Sequence, residues 1–110
     1  MISDTPHIDI HPDHWDIVRR ILQLHVPHAT VWVFGSRTTG TARAFSDLDI
    51  AIITAQPLPL DVSASLRDDF TESDLPFKVD VVDWATTSDS FRRIIARNKV
   101  VVQELNNEKL

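Results

Sequence analysis

The chain has no cysteine and no tyrosine, and only two glycines among its 110 residues. Without cysteine it forms no disulfide and offers no thiolate to a metal, so any metal must be held by oxygen or imidazole donors. Without tyrosine it has no phenolic hydroxyl of its own to modify. No stretch approaches the roughly 18 to 20 consecutive apolar residues that would span a bilayer, so no membrane partner is expected. The opening MISDTPHIDIHPD is acidic and lacks a basic start before an apolar run, which speaks against a secretory signal and for a cytoplasmic location. A Gly-rich loop ending in Lys-Ser or Lys-Thr is also missing, which excludes a Walker-type phosphate site.

The formal charge is −5, with 11 Lys and Arg against 16 Asp and Glu. A nonspecific nucleic-acid binder needs cations to displace phosphate counterions, so direct nucleic-acid binding is not expected. The densest basic cluster, Arg92, Arg93, Arg97 and Lys99, reads as a solvated helix face whose second use would be to meet an acidic partner.

Apolar content of 43% and charged content of 25% suit a globular chain, and 110 residues suffice for one domain. We expect a loose lead-in at 1–11, a single domain over 12–103 and a frayed tail at 104–110. His11-Pro12-Asp13 has helix-start chemistry, and Val18, Ile21 and Leu22 follow at mostly helical spacing, predicting a helix over 13–25. The β-branched and aromatic run at 30–34 predicts a buried strand stopping at Gly35, and residues 48–54 predict a second. Leu66 and Phe70, four apart, indicate a helix over 62–72, and 77–84 is a third strand candidate. Thr87 or Ser88 can cap a helix whose Phe91, Ile94 and Ile95 would face the core. The run 100–102 reads as a short strand or a last turn. The order gives an α/β or α+β fold, a small mixed sheet with helices packed against it.

The chemistry concentrates in GSRTTGTARAFSDLDIAII, residues 35–53, which holds both glycines. Alternation along a strand puts Asp47 and Asp49 on one face and sends Leu48, Ile50 and Ile52 into the opposite, apolar layer. Two adjacent carboxylates repel, and a divalent cation removes that cost. Asp80, between Val79 and Val81, joins them if its strand is the neighbour, in a setting where an uncompensated carboxylate is expensive to bury. Three oxygen donors with no sulfur suit Mg2+ or Mn2+, which take further ligands from substrate phosphates. Asp83 should face away from Asp80. Gly35 lets backbone approach a ligand, the Ser36 hydroxyl and nearby N–H groups can donate to phosphate, Arg37 adds a charge within reach of the same anion, and Gly40 supplies a positive-φ turn. His7, His11 and His14 could be imagined around zinc but lack evident convergence, and Trp15, Trp32 and Trp84 read as core or partner-facing rings.

Gly35-Ser36, ten residues, then Asp47-Leu48-Asp49 resembles the signature of the nucleotidyltransferase superfamily that includes DNA polymerase beta and kanamycin nucleotidyltransferase. Phe34-Gly35-Ser36-Arg37-Thr38-Thr39-Gly40 and the chain length resemble the minimal nucleotidyltransferases, the MNT half of HEPN-MNT toxin-antitoxin pairs. The resemblance spans roughly residues 12–103. It implies that Asp47 and Asp49 hold Mg2+ ions, that Asp80 completes the site and activates the acceptor hydroxyl, and that Gly35 and Ser36 hold ATP through its phosphates. It further implies transfer of AMP to a tyrosine of a small helical HEPN protein encoded in the same operon, which silences that toxin. With no tyrosine here, such an acceptor comes in trans, and a hetero-oligomer or a homodimer is expected. A different class of reading is a binding module that neutralises the helical partner by complex formation alone. Transfer to a small molecule is disfavoured, because no segment remains to build an acceptor pocket.

Overall fold

The computed structural model describes residues 7–104. Helix α1, Pro12–His25, starts where the His11 ring Nδ1 accepts from the Asp13 N–H at 3.1 Å, with Pro12 in the first turn. Its buried residues Trp15, Val18 and Leu22 recur at helical spacing. Strand β1, Thr30–Phe34, leads through Gly35 into a one-turn helix, α2, Ser36–Thr39. Strand β2, Leu48–Ile53, is joined by helix α3, Leu60–Glu72, to strand β3, Val79–Asp83. A 3-10 turn at Trp84–Thr86, helix α4, Asp89–Arg97, and strand β4, Val100–Gln103, complete the order.

The sheet runs β3-β2-β1-β4. β1 pairs antiparallel with both β2 and β4, whereas β2 and β3 are parallel, which is why a helix rather than a tight turn must connect them. The sheet is therefore mixed, as the element order suggested.

Side-chain alternation splits the molecule into two apolar layers. Val31 and Val33 of β1, Leu48, Ile50 and Ile52 of β2 and Val81 of β3 meet Trp15, Val18 and Leu22 of α1 and Leu66 and Phe70 of α3. The other face is thinner: Phe34 and Ala51 meet Ile95 of α4, with Trp32, Ile53, Val82 and Trp84 partly covered around them.

Two expectations need correction. Residues 8–10 are not a loose lead-in, because Ile10 is buried, Ile8 packs on the main core, and the Asp9 N–H donates to the Arg37 carbonyl at 2.8 Å. Of Phe91, Ile94 and Ile95, only Ile95 is buried; Phe91 is 37% and Ile94 59% exposed. One nine-residue helix lies on this side of the sheet, and its axial rotation seats a single apolar position on Phe34 and Ala51. Ser88 rather than Thr87 caps α4, its hydroxyl accepting from the Phe91 N–H at 3.2 Å.

Candidate active site

The pairing registers bring the acidic residues together. Asp49 on β2 stands opposite Asp80 on β3 and opposite Phe34 on β1, in one row across the sheet. Asp47 lies two residues before Asp49, and the Leu48 N–H donates to the Lys78 carbonyl at 2.9 Å, fixing the start of β2 to the approach to β3. All three carboxylates belong to the thinner face, opposite Leu48, Ile50 and Ile52.

Burial, then the charges of Asp80 and Asp47, push the Asp49 carboxyl up from 3.8 to about 6. Asp49 is half-buried, whereas Asp47 and Asp80 are exposed. Asp80 thus escapes the burial its apolar neighbours suggested, because β3 is an edge strand and this face is open beside it. As the side chains stand, no group of three His, Asp or Glu among the described residues is arranged to chelate an ion. The donor chemistry nonetheless fits a hard divalent cation: carboxylate oxygens only, around a central carboxyl destabilised by its neighbours' negative charge.

A pH dependence follows from the raised Asp49 value. Stability from protonated Asp49 is fully present below its ordinary value near 4 and is lost as pH rises through about 6. A two-unit shift corresponds to about 3 kcal/mol, which partial exposure reduces to about 1 to 2 kcal/mol. Metal-free Asp49→Asn should therefore melt above wild type at pH 7.5 and level with it near pH 4. Equal melting temperatures at pH 7.5 would refute the strained carboxyl.

Gly35 ends β1 beside these groups with φ 85° and ψ −157°. A Cβ built there would collide with Asp49 Oδ2, so the backbone lies directly against the central carboxylate. Ser36 opens α2, whose first N–H groups have no intrahelical acceptor. Thr38, named in the sequence only as part of the 34–40 motif and given no role there, fixes the Gly35 carbonyl from its backbone N–H at 3.0 Å and its hydroxyl at 2.8 Å. Gly40 closes α2 with φ 78°, the positive-φ turn expected.

Arg37 does not stand where the sequence reading put it. It is 5% exposed, and its guanidinium lies 4.2 Å from the centre of the Phe77 ring. It donates to backbone oxygens of Asp9 (2.6 Å), Ala44 (3.2 Å) and Ser46 (2.8 and 3.1 Å). Each nitrogen is thus engaged by backbone rather than left for a phosphate. Its effect on the site is indirect: anchoring the Ser46 carbonyl positions the next residue, Asp47. Arg37→Ala should cost about 2 to 4 kcal/mol in urea unfolding, since it removes the shared donor and leaves several carbonyls unpaired. A loss under half a kcal/mol would remove it as the organiser of this loop.

Asp83 faces away from Asp80, as expected, and is spent on structure: Oδ2 accepts from the Leu58 N–H at 3.0 Å and Oδ1 from the Ala85 N–H at 3.2 Å. His11 caps α1 and His14 packs edge-on against Phe77 at 5.7 Å, so neither suggests a zinc site. Trp15 is core, and Trp32 and Trp84 meet edge-to-face at 5.0 Å. Phe34, the aromatic wall beside Asp49, is the other residue to which the sequence assigned no site role, only a place in the strand and the 34–40 motif; its position directly before Gly35-Ser36 was the available signal.

Among known proteins, the family model described as "Polymerase beta, Nucleotidyltransferase" matches residues 17–108. A Haemophilus influenzae protein described as a probable protein adenylyltransferase MntA is 52% identical over 103 residues, covering 94% of this chain and 90% of that protein. A chain in the crystal structure of a toxin-antitoxin with AMP-PNP superposes with a TM-score of 0.68 at 24% identity, over 81% of this chain and 72% of that one. A chain in the complex of tri-AMPylated Shewanella oneidensis HEPN toxin with MNT antitoxin gives a TM-score of 0.61 at 21% identity, over 81% and 68%. These structures share the fold. No helix among the described residues is long and apolar enough to cross a membrane.

Proposed function

Because the chain belongs to the polymerase beta nucleotidyltransferase family, we propose that it is a metal-dependent protein adenylyltransferase. In this reading it transfers AMP from ATP to a hydroxyl of a HEPN partner encoded beside it and so acts as an antitoxin. The observation that carries the reading is the row Asp49-Asp80 with Asp47 two residues away and Gly35-Ser36 against Asp49. Asp47, Asp49 and Asp80 would hold Mg2+, which when bound offsets charge on the triphosphate and on the departing pyrophosphate. Gly35 gives the phosphates an approach free of side chain, and the N–H groups at the start of α2 with the Ser36 hydroxyl orient them. Asp80, exposed on the edge strand, would be open to an incoming acceptor and would accept the hydroxyl proton. The bond formed joins the acceptor oxygen to the α-phosphorus, and the bond broken releases pyrophosphate.

A tyrosine acceptor would come from another chain, since there is no tyrosine here. The names of the relatives support a protein acceptor: one is described as a protein adenylyltransferase, and one complex contains a tri-AMPylated toxin. The test is incubation of this protein and its neighbour with α-labelled ATP and Mg2+. Label is expected on the neighbour; neutralisation without label would leave a binding module instead.

A further inference from the structure

Helix α4 leaves part of its apolar stripe open on the same face as the carboxylates. At about 100° per residue the order around its axis is Ile95, Phe91, Ile94, Arg97, Arg93. Burial falls off in that order: Ile95 is fully buried, Phe91 is 37% exposed and Ile94 59%. Phe91 packs edge-on against Phe34 at 6.0 Å, and Phe34 stands opposite Asp49, so this stripe begins at the site. It continues away from the carboxylates to the next row of the sheet, ~7 Å along the strands, where Trp32 pairs with Val101, itself 41% exposed. Lys99 lies over Trp32 at 4.7 Å. Among the described residues no carboxylate forms an ion pair with Arg93, Arg97 or Lys99, although the chain as a whole is acidic.

We propose that Phe91, Ile94 and Val101, rimmed by Arg93, Arg97 and Lys99, form the docking surface for the acceptor protein, whose matching surface is apolar at its centre and acidic at its rim. The inference rests on the adenylyltransferase reading and adds to it where the partner sits. An apolar centre with a charged rim is the anatomy of a protein interface. A nucleotide base uses one ring face, whereas this surface extends a further sheet row and presents aliphatic Ile94. A two-fold dimer through the same face would set this basic rim against the basic rim of a second copy. An acidic partner removes that repulsion, and continuity with Phe34 leads its hydroxyl toward Asp49 and Asp80.

The test compares Ile94→Glu and Arg93→Glu/Arg97→Glu with wild type, using the HEPN protein encoded beside this chain as the probe. Complex formation, ATP affinity with Mg2+ and label transfer are measured separately. Because the altered side chains are exposed, melting temperature and ATP affinity should stay at the wild-type level, while partner affinity falls at least tenfold and label transfer falls with it. Wild-type affinity should also weaken as salt rises. Partner binding and transfer unchanged in both variants would overturn the docking surface and leave the enzymatic reading standing. Lost ATP affinity with partner binding retained would assign the surface to the nucleotide and equally overturn it. If wild type neither binds nor labels the probe, the adenylyltransferase reading falls and this inference falls with it.

Discussion

Asp47→Asn/Asp49→Asn should transfer no measurable label from α-labelled ATP to the partner, a loss of at least about a thousandfold. Asparagine keeps the size of each side chain and removes the charge, so the loss reports on cation and phosphate stabilisation rather than on packing. Several kcal/mol of transition-state stabilisation are at stake, and each 1.4 kcal/mol is about tenfold in rate. The same substitutions remove the repulsion that raises the Asp49 carboxyl, so the inactive protein should be at least as stable as wild type at neutral pH without metal. Loss of activity together with gained stability separates a functional defect from misfolding. Residual transfer within tenfold of wild type would eliminate these carboxylates as the metal ligands.

Gly35→Ala should be nearly as damaging, by a different route. With φ 85° and ψ −157° the residue occupies a region open in practice only to glycine, and a side chain there costs on the order of 1 to 3 kcal/mol. The new methyl would also meet Asp49 Oδ2. The carboxylate is the end of a movable side chain, so the fold can survive by turning Asp49 away, but the site cannot. We expect a folded protein with a lowered melting temperature and transfer reduced at least a hundredfold, since misplacement by about 1 Å costs that much. Transfer at the wild-type rate from a folded Gly35→Ala protein would show that Asp49 does not act from this position.

Much of this was legible in the sequence because it depends on alternation and spacing. Thr30–Phe34 is the expected strand, and the two-residue period of β2 separates Asp49 from Leu48 and Ile50 as foreseen. Less legible was anything decided between elements. That β2 and β3 are parallel neighbours, and hence that Asp49 faces Asp80, depends on how α3 carries the chain back across the sheet. Arg37 looked like a phosphate ligand because an arginine after Gly-Ser carries the right charge. Its carbonyl partners lie at Asp9, Ala44 and Ser46, and no local pattern announces that convergence. The facing of α4 was misjudged because three apolar residues were assigned to a core that has room for Ile95. Asp80 looked costly to bury because its neighbours are valines, whereas sheet order puts it at an edge.

The edge position of β3 has a consequence for how the protein breathes. β3 is held by one neighbouring strand, and the seam between them carries like charges in register at Asp49 and Asp80. Those like charges push outward on the strand least restrained by the sheet, and in the proposed metal-bound state a cation between them would draw it in. In that reading, ligand binding and the closing of this seam would be one equilibrium. Strand opening would then be a gauge of occupancy: the protection of β3 amides from solvent, read by hydrogen exchange, should rise as the site is filled and fall as it is emptied.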